Sequence, residues 1–363
     1  MRASSLFPHN TVEAQAQSQS PAAQPIAVEV IDIDPRQSRH MLARLVGRPH
    51  LDGAVCGPSL SDLRRAAPDI LGAALHERLL RERHAVEPVG ALVIRGVPME
   101  QVRCVPRRGE PKSVGKPASV SENLLALFGV LLGHPYGITT EGGSLINDLI
   151  PDPEHRRRHT GLGSELELGF HIEHAALRHL GGKNRAPDHL LLTGVSPERN
   201  GNPKTCTADV RLALRLVDPA LLPVLWEPLY TLRVPERWSK ALGPAVGWTP
   251  PVPLLAGTPS NPVVSVAFYP GMVEALTDKA REALEALRAA VEAVAVDHEI
   301  APGSLVLINN RVTLHARRAF SPHFDRHGRA SRWVQRLFVA HSLEPFAGWA
   351  MPESDVLFQP RAE

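Results

Sequence analysis

Hydrophobic residues recur with a helical period in three stretches of the chain. Residues 60–83 and 123–132 carry apolar side chains three and four positions apart, and residues 277–296 carry the clearest apolar stripe. Thr277 is well placed to cap the last stretch, and Ser59 or Ser61 to cap the first. We therefore predict two helices in the first half of the chain and one near its end.

Other stretches alternate between apolar and polar residues, or are short and wholly apolar, as β-strands are. In residues 165–173 four apolar side chains alternate with polar ones, so that His171 and Glu173 share the polar face. Strands concentrated in the second half, with helices before and between them, favour a β-barrel or sandwich buttressed by helices. The further predicted strands are 28–33, 90–96, 189–195, 205–210, 304–308 and 332–340.

Three segments show neither the helical nor the strand period. Residues 1–26 are rich in Gln, Ser, Ala and Pro and are predicted to be a disordered tail. Residues 99–121 are rich in Pro, Lys, Arg and Gly and are expected to form a mobile insertion. Residues 232–262 contain many Pro and Gly residues, and because long loops in compact domains are usually functional, we expect a lid there.

Composition limits the partners and the location of the protein. The 363 residues carry a formal net charge of +2, so neither nucleic acid nor an anionic membrane is an expected partner. The one dense basic run, residues 156–158, is best explained as a solvated loop. Three scattered cysteines without a CxxC pair argue against disulfides and zinc ribbons and fit a reducing compartment. With no signal-peptide pattern and no long apolar run, the expected location is cytoplasmic.

His171, Glu173 and a distant histidine, His315, are the residues that point most directly to chemistry. Two histidines and one carboxylate can occupy three neighbouring positions around non-haem iron(II) and leave the others open. A hydrogen-bonded His–Glu pair on a solvated strand is the simplest alternative, and a zinc hydrolase with the same three ligands is another. The HExxH motif of zincins and the PCxxC motif of zinc deaminases are both absent.

Two arginines, Arg332 and Arg336, share one face of the last predicted strand. An edge strand with both arginines in solvent is the simple alternative. The neighbouring residues are strongly apolar, however, which indicates burial on both faces. A buried guanidinium needs an anionic partner, so the two arginines could hold two different carboxylates.

Several separated motifs together resemble the clavaminate synthase-like Fe(II)/2-oxoglutarate oxygenases, the group that includes β-hydroxylases of arginine, asparagine and lysine. The resemblance covers residues 85–345, and its motifs occur in the order that the family has. They are Ser144–Pro151, Gly163–Glu173, Thr205–Arg211, His315–Pro322 and Arg332–Arg336.

The resemblance implies one oxygenase domain, 27–363, with a helical part (27–139) and a double-stranded β-helix, or jelly-roll, core (140–345). It implies Fe(II), 2-oxoglutarate and O2 as cofactor and co-substrates, and a small-molecule amino acid as substrate in secondary metabolism. His171, Glu173 and His315 fall on the metal ligands of the family, and these three are the expected catalytic centre. The oligomeric state stays open.

The family motif also assigns the two arginines. In the family, the arginine that binds 2-oxoglutarate directly precedes a tryptophan. This context selects Arg332 rather than Arg329, although the segment before Arg332 is about three residues longer than usual. The threonine that helps to hold 2-oxoglutarate falls on Thr205. The second arginine of the family, which binds the substrate carboxylate, falls on Arg336.

Departures from the family pattern bear on the substrate. Thr140 stands where arginine hydroxylases have a glutamine that contacts the substrate amino group, and Ala267 and Tyr269 stand where they have aspartates for a cationic side chain. We therefore expect a neutral, apolar or modified amino acid, with Glu173 also beside it. A carboxylate at position 173 favours hydroxylation over halogenation. Desaturation and cyclisation remain alternatives, as does a non-catalytic jelly-roll protein that binds a small acid.

Overall fold

The computed structural model describes residues 26–51, 55–107, 110–157, 163–243 and 246–361, so the predicted N-terminal tail lies almost wholly outside the described residues. The α-helices in these ranges are α1 (Pro35–Leu45), α2 (Gly57–Leu71), α3 (Ala73–His84), α4 (Val120–Leu132), α5 (Val210–Ala213), α6 (Glu236–Leu242) and α7 (Asp278–Ala293). The strands are β1 (Val28–Asp32), β2 (Ala91–Arg95), β3 (His134–Ile138), β4 (Ile146–Leu149), β5 (Leu168–His171), β6 (His189–Ser196), β7 (Lys204–Asp209), β8 (Tyr230–Leu232), β9 (Leu255–Thr258), β10 (Asn261–Val264), β11 (Val273–Ala275), β12 (Val296–Glu299), β13 (Ser304–Asn309), β14 (Thr313–Arg317), β15 (Trp333–Ala340) and β16 (Leu357–Phe358).

Two sheets of different size form the framework. The larger has eight strands in the order β1-β2-β13-β6-β15-β3-β16, with β4 also paired to β15. The smaller has four strands in the order β12-β7-β14-β5. The predicted β-rich fold with flanking helices is confirmed at this level.

The large sheet is apolar on both faces because each face meets a different layer. In β6, Leu190 and Leu192 belong to the core shared with the small sheet, which also contains Ala208 and Leu314. Leu191 lies between them in sequence but belongs to the second core, which the N-terminal helices form on the other face. The two-residue period of a strand divides one apolar run between two cores in this way.

The first predicted helix is in fact two helices. Gly72 adopts a φ of +73° between α2 and α3, a conformation that glycine takes at little cost, and the chain turns there. Neither predicted serine caps α2. Instead, the Asp355 carboxylate accepts hydrogen bonds from the backbone N–H groups of Cys56 (2.8 Å) and Gly57 (2.6 Å), so a residue about 300 positions away caps the helix.

The other two helix predictions are confirmed. Every residue of α4 is buried, because α4 lies between the other N-terminal helices and the large sheet. Helix α7 begins after Thr277, whose side chain accepts a hydrogen bond from the Ala280 N–H at 3.1 Å.

The expectation of a mobile insertion at 99–121 is wrong for the described residues. Lys116 is only 1% exposed and forms ion pairs with Glu100 and Glu122, both at 2.5 Å. Gln335 of β15 donates to Glu122 at 2.7 Å. The segment is therefore packed behind β15, the strand that contains Arg336 and directly follows Arg332.

Residues 232–262 are also more ordered than a Pro- and Gly-rich loop would suggest. They contain helix α6, strand β9 and the first two residues of β10, which pairs with β9 as an antiparallel hairpin. Trp238 of α6 is 1% exposed. Whether this segment opens and closes stays a prediction.

Among the described residues, no helix combines the length and the apolar character needed to cross a bilayer.

Candidate metal centre and its cavity

His171 and His315 lie opposite each other on adjacent strands. β14 runs between β7 and β5 in the small sheet, and the β5–β14 register pairs these two histidines. Their ring centroids are 4.2 Å apart, and both side chains are buried. The strand pairing thus places residues 144 positions apart in sequence beside each other.

Glu173 reaches the same point from outside the strand. β5 ends at His171, so the expectation that both residues lie on one strand is wrong in detail. Asn310 fixes the backbone instead: its side-chain oxygen accepts from the Glu173 N–H (2.8 Å), and its amide nitrogen donates to the Glu173 carbonyl (3.2 Å). Asn310 was missed from sequence, although it lies in the turn before β14.

The three side chains offer one ligand atom each within 4.8 Å of one another. The Nδ1 atom of His171 is 2.9 Å from the Gly169 carbonyl oxygen, so Nδ1 carries the proton and donates. This hydrogen bond leaves the Nε2 lone pair available, which is the tautomer that a metal-binding histidine needs.

Burial and nearby charges hold these donors in the protonation states that bind cations. Burial alone would raise the pKa of Glu173, but Arg336 and the adjacent histidines lower it to about 2. Burial lowers the pKa of His315 to about 3, helped by His171, and burial also lowers the pKa of His171. The centre therefore offers one carboxylate and two neutral imidazoles at neutral pH.

The Arg336 guanidinium bonds to two acidic side chains, one on each side. Its guanidinium donates to Glu173 Oε1 (2.8 Å), Glu141 Oε2 (3.0 Å) and Asn147 Oδ1 (3.3 Å). Burial favours the neutral form, yet Glu173 and Glu141 raise the pKa of Arg336. Arg336 thus links the candidate metal ligand to a second acidic group.

That second acid, Glu141, was not predicted from the sequence. Its Oε1 accepts from Arg237 (2.7 Å) and from the Trp238 indole (3.0 Å), both in α6. His174 Nε2 lies 3.6 Å from the same oxygen. No local pattern marks Glu141, because its partners come from distant segments.

A cavity of about 450 Å³ opens beside the triad and is lined by Thr205 and Arg332, among others. Arg332 is 6% exposed, and its Nε–H has no hydrogen-bond partner among the described residues. Burial, then the nearby Arg317, lowers the pKa of Arg332 to about 10. A buried cation with an unused donor favours binding of an anion in the cavity.

Arg329 takes no part in this cavity. It forms an ion pair with Glu110 at 2.5 Å and donates to the Val105 carbonyl at 3.0 Å. Arg332, the arginine that the tryptophan context selects, is the one of the two that lines the cavity.

Of the remaining predicted substrate positions, Ala267 and Tyr269 lie beside the triad, whereas Thr140 does not line the cavity. Ala267 is buried and pairs with His171 through an isolated β-bridge, and the Tyr269 ring meets the His171 ring edge-on at 5.2 Å. Both line a hollow of about 50 Å³ next to the main cavity. Thr140 lies in the 3-10 turn Thr139–Glu141, and its buried hydroxyl has no partner among the described residues.

These residues fit a divalent iron ion and a dicarboxylic 2-oxo acid. Two imidazoles and one carboxylate are a ligand set that non-haem Fe(II) uses, and the cavity adjoins them on one side. Arg332 offers a cation for the distal carboxylate of the 2-oxo acid, with Thr205 beside it.

Comparison with known proteins gives the same picture over most of the chain. The family model described as taurine catabolism dioxygenase TauD, TfdA family matches residues 67–338. L-asparagine oxygenase from Streptomyces coelicolor is 33% identical over 272 residues, which cover 75% of this chain and 77% of that protein. L-lysine 3-hydroxylase from Catenulispora acidiphila is 28% identical over 261 residues, covering 69% and 67%.

Solved structures extend the similarity to the fold. Asparagine oxygenase in complex with Fe(II), 2S,3S-3-hydroxyasparagine and succinate superposes with a TM-score of 0.76 at 26% identity, over 91% of this chain and 99% of that one. The resemblance drawn from the motifs is confirmed.

Proposed function

Because the chain belongs to the TauD, TfdA family of Fe(II)- and 2-oxoglutarate-dependent oxygenases, we propose that it hydroxylates a C–H bond of an amino acid in secondary metabolism. The observation that carries the proposal is the pairing of a two-histidine, one-carboxylate cluster with a buried arginine that has no carboxylate partner among the described residues. A cluster alone would also suit a zinc hydrolase. That alternative gives Arg332 no role.

In the proposal, His171, Glu173 and His315 hold the iron, and Asn310 keeps Glu173 in reach of it. Bound iron and 2-oxoglutarate supply the oxidising power that inserts one oxygen atom of O2 into the substrate, while 2-oxoglutarate is converted to succinate and CO2. The apolar walls of the cavity, such as Leu190 and Leu192, restrict water.

The co-substrate and the substrate use different arginines. Arg332 and Thr205 bind the distal carboxylate of 2-oxoglutarate. Arg336 binds the substrate carboxylate, which displaces part of its contact with Glu141. The ammonium group of the amino acid then pairs with the Glu141 carboxylate that Arg336 has released, so the buried positive and negative charges stay balanced.

The wall near the substrate side chain favours a neutral or apolar group. Ala267 and Tyr269 present no carboxylate, and burial raises the pKa of the Tyr269 hydroxyl, which therefore stays neutral. A cationic side chain placed there would lack a counter-ion from these two positions. A neutral, apolar or modified amino acid is the proposed substrate class.

The architecture is proposed to be a jelly roll in a single domain, 27–363. The large and small sheets form its two halves, with the shared core between them, and the two histidines of the triad lie on the small sheet. Residues 232–262 form the proposed lid, since α6 places Arg237 at the cavity wall.

Anaerobic spectroscopy tests the proposal. Adding Fe(II) and 2-oxoglutarate to the purified protein should produce the weak visible charge-transfer band of an iron-bound 2-oxo acid. His171→Ala should abolish the band, and His341→Ala, at an exposed histidine, should leave it unchanged. No band in the unmodified protein would overturn the proposal.

Product analysis identifies the substrate and the reaction. Free amino acids are screened for succinate release in air, and the product mass is then measured. Hydroxylation adds one oxygen atom, whereas desaturation or cyclisation removes two hydrogens, so the mass separates the proposed reaction from these alternatives.

A further inference from the structure

Arg317 lies on the same face of β14 as His315, two residues away. The two-residue period of the strand turns both side chains toward the cavity, and both line it. Arg317 is 8% exposed. Its neighbour Arg318 points the opposite way and forms an ion pair with Glu167 at 2.5 Å, with more than a third of its side chain exposed.

Arg317 and Arg332 both contact the same aromatic ring. Their guanidinium carbons lie 5.3 Å and 5.4 Å from the centroid of the Phe320 ring. Among the described residues, no carboxylate lies within ion-pair distance of either arginine. Two buried like charges that line one cavity are unfavourable unless an anion joins them.

The backbone before β5 holds the Arg317 guanidinium in place. It donates to the carbonyl oxygens of Ser164 (3.1 Å), Leu166 (3.0 Å) and Arg318 (3.2 Å). Its Nε–H is buried and has no partner among the described residues, as is also true of Arg332. Each of these two cavity-lining arginines thus keeps one N–H without a hydrogen-bond partner among the described residues.

We propose that Arg317 is a second cationic contact for the distal carboxylate of the 2-oxo acid, acting beside Arg332. The inference rests on the proposed function and extends it to a residue that the family motif does not select. One carboxylate has two oxygens and can accept from both Nε–H groups. Two guanidinium groups around one carboxylate favour dicarboxylic 2-oxo acids over monocarboxylic ones such as pyruvate.

Binding measured without turnover tests the role of Arg317. Isothermal titration of 2-oxoglutarate into the zinc-substituted protein is compared for Arg317→Gln, Arg317→Lys and the control Arg318→Gln. A charge-assisted hydrogen bond contributes enough that Arg317→Gln should weaken binding by about tenfold to a hundredfold. Arg317→Lys should recover most of the affinity, and Arg318→Gln should stay within about twofold of the unmodified protein.

Glutarate separates this contact from chelation at the metal, because it has the distal carboxylate but no 2-oxo group. Its affinity should fall in Arg317→Gln by a similar factor. If Arg317→Gln binds both acids within about twofold of the unmodified protein, the inference is overturned. That result would leave the charge-transfer band of the unmodified protein intact. Loss of that band would instead refute the proposed function.

Arg317→Gln also loses hydrogen bonds to the backbone and could fold poorly. A second measurement therefore uses the unmodified protein. Crystals of the unmodified protein with zinc and 2-oxoglutarate should place a distal carboxylate oxygen within hydrogen-bond distance of Arg317 Nε. A carboxylate bound by Arg332 alone, with Arg317 beyond ion-pair distance, would contradict the inference.

Discussion

At the scale of single residues, burial affects the histidines and the acids of the cavity differently, because only the acids have strong ionic partners. Burial, helped by His171 and Arg336, lowers the pKa of His315 to about 3, so its imidazole is neutral. Burial would also neutralise Glu173, yet Arg336 overrides it and keeps the carboxylate charged. Removing Arg336 would therefore alter a metal ligand as well as a substrate contact.

A histidine outside the centre gives a prediction for pH. Burial lowers the pKa of His189 to about 4; Arg311 and His341 also lower it, and Asp188 opposes them. The unfolded chain binds this proton near pH 6.5, before the folded protein does, so stability should fall as pH decreases below 6.5 and level off below about 4. From this residue the loss is about 1.4 kcal/mol per pH unit.

Urea unfolding of the metal-free protein at pH 7.5 and 5.5 measures this effect. His189→Asn, which cannot take up the proton, should lose less stability between the two pH values than the unmodified protein. His84→Asn, at an exposed histidine that does not act on His189, serves as the control. An equal loss in His189→Asn and in the unmodified protein would show that His189 does not contribute.

At the scale of elements, α6 connects the proposed lid to the substrate arginine. Arg237 and Trp238 donate to Glu141, which in turn accepts from Arg336. The Trp238 ring also meets the His174 ring edge-on at 4.9 Å. Any movement of α6 therefore changes the partners available to Arg336.

Arg237→Met tests this connection. Loss of a charge-assisted hydrogen bond from a half-exposed side chain should raise KM for the amino acid about fivefold, because Glu141 loses one of its two arginines. The Kd for 2-oxoglutarate should stay unchanged, since Arg237 bonds to Glu141 and not to Arg332. Steady-state kinetics and titration measure the two quantities.

The matched control is Lys240→Met in the same helix, where the ion pair with Glu236 is exposed. It should leave both constants unaltered. If Arg237→Met and Lys240→Met behave alike, α6 does not act through Glu141.

At the scale of the whole molecule, β15 joins the two cores and the site. All eight of its residues are buried, and it pairs with β6 on one side and with β3 and β4 on the other. Its cavity face carries Arg336 and Val334, while Gln335 on the other face reaches the buried Lys116 network through Glu122. Occupancy of the site should therefore stabilise the entire fold.

Thermal unfolding measures that linkage. Zinc and 2-oxoglutarate, each at about 100 times its Kd, should each stabilise the folded protein by about 2.7 kcal/mol through mass action, which raises Tm by several degrees. His315→Ala should lack most of the shift, because it removes a metal ligand. A Tm unaffected by metal and co-substrate in the unmodified protein would be incompatible with binding at the triad.

Local patterns predicted much of the fold and the types of group in the site. The alternation in 165–173 predicted the strand face on which His171 lies. The apolar residues beside Arg332 and Arg336 indicated burial, and β15 does lie inside its sheet. Gly72 shows the limit: the apolar period continues across it, so one predicted helix became two. The cap of α2 by Asp355 has no local signal at all.

The sequence by itself determined which side chains share a face, where the metal-binding residue types lie and which cations need an anion, because backbone geometry and solvation act over a few residues. Only the tertiary structure decided that β14 lies beside β5, that Glu141 meets Arg336 across 195 positions, and that Arg317 and Arg332 face one cavity. Strand order and register depend on how distant apolar faces pack together, and no short-range period encodes that choice.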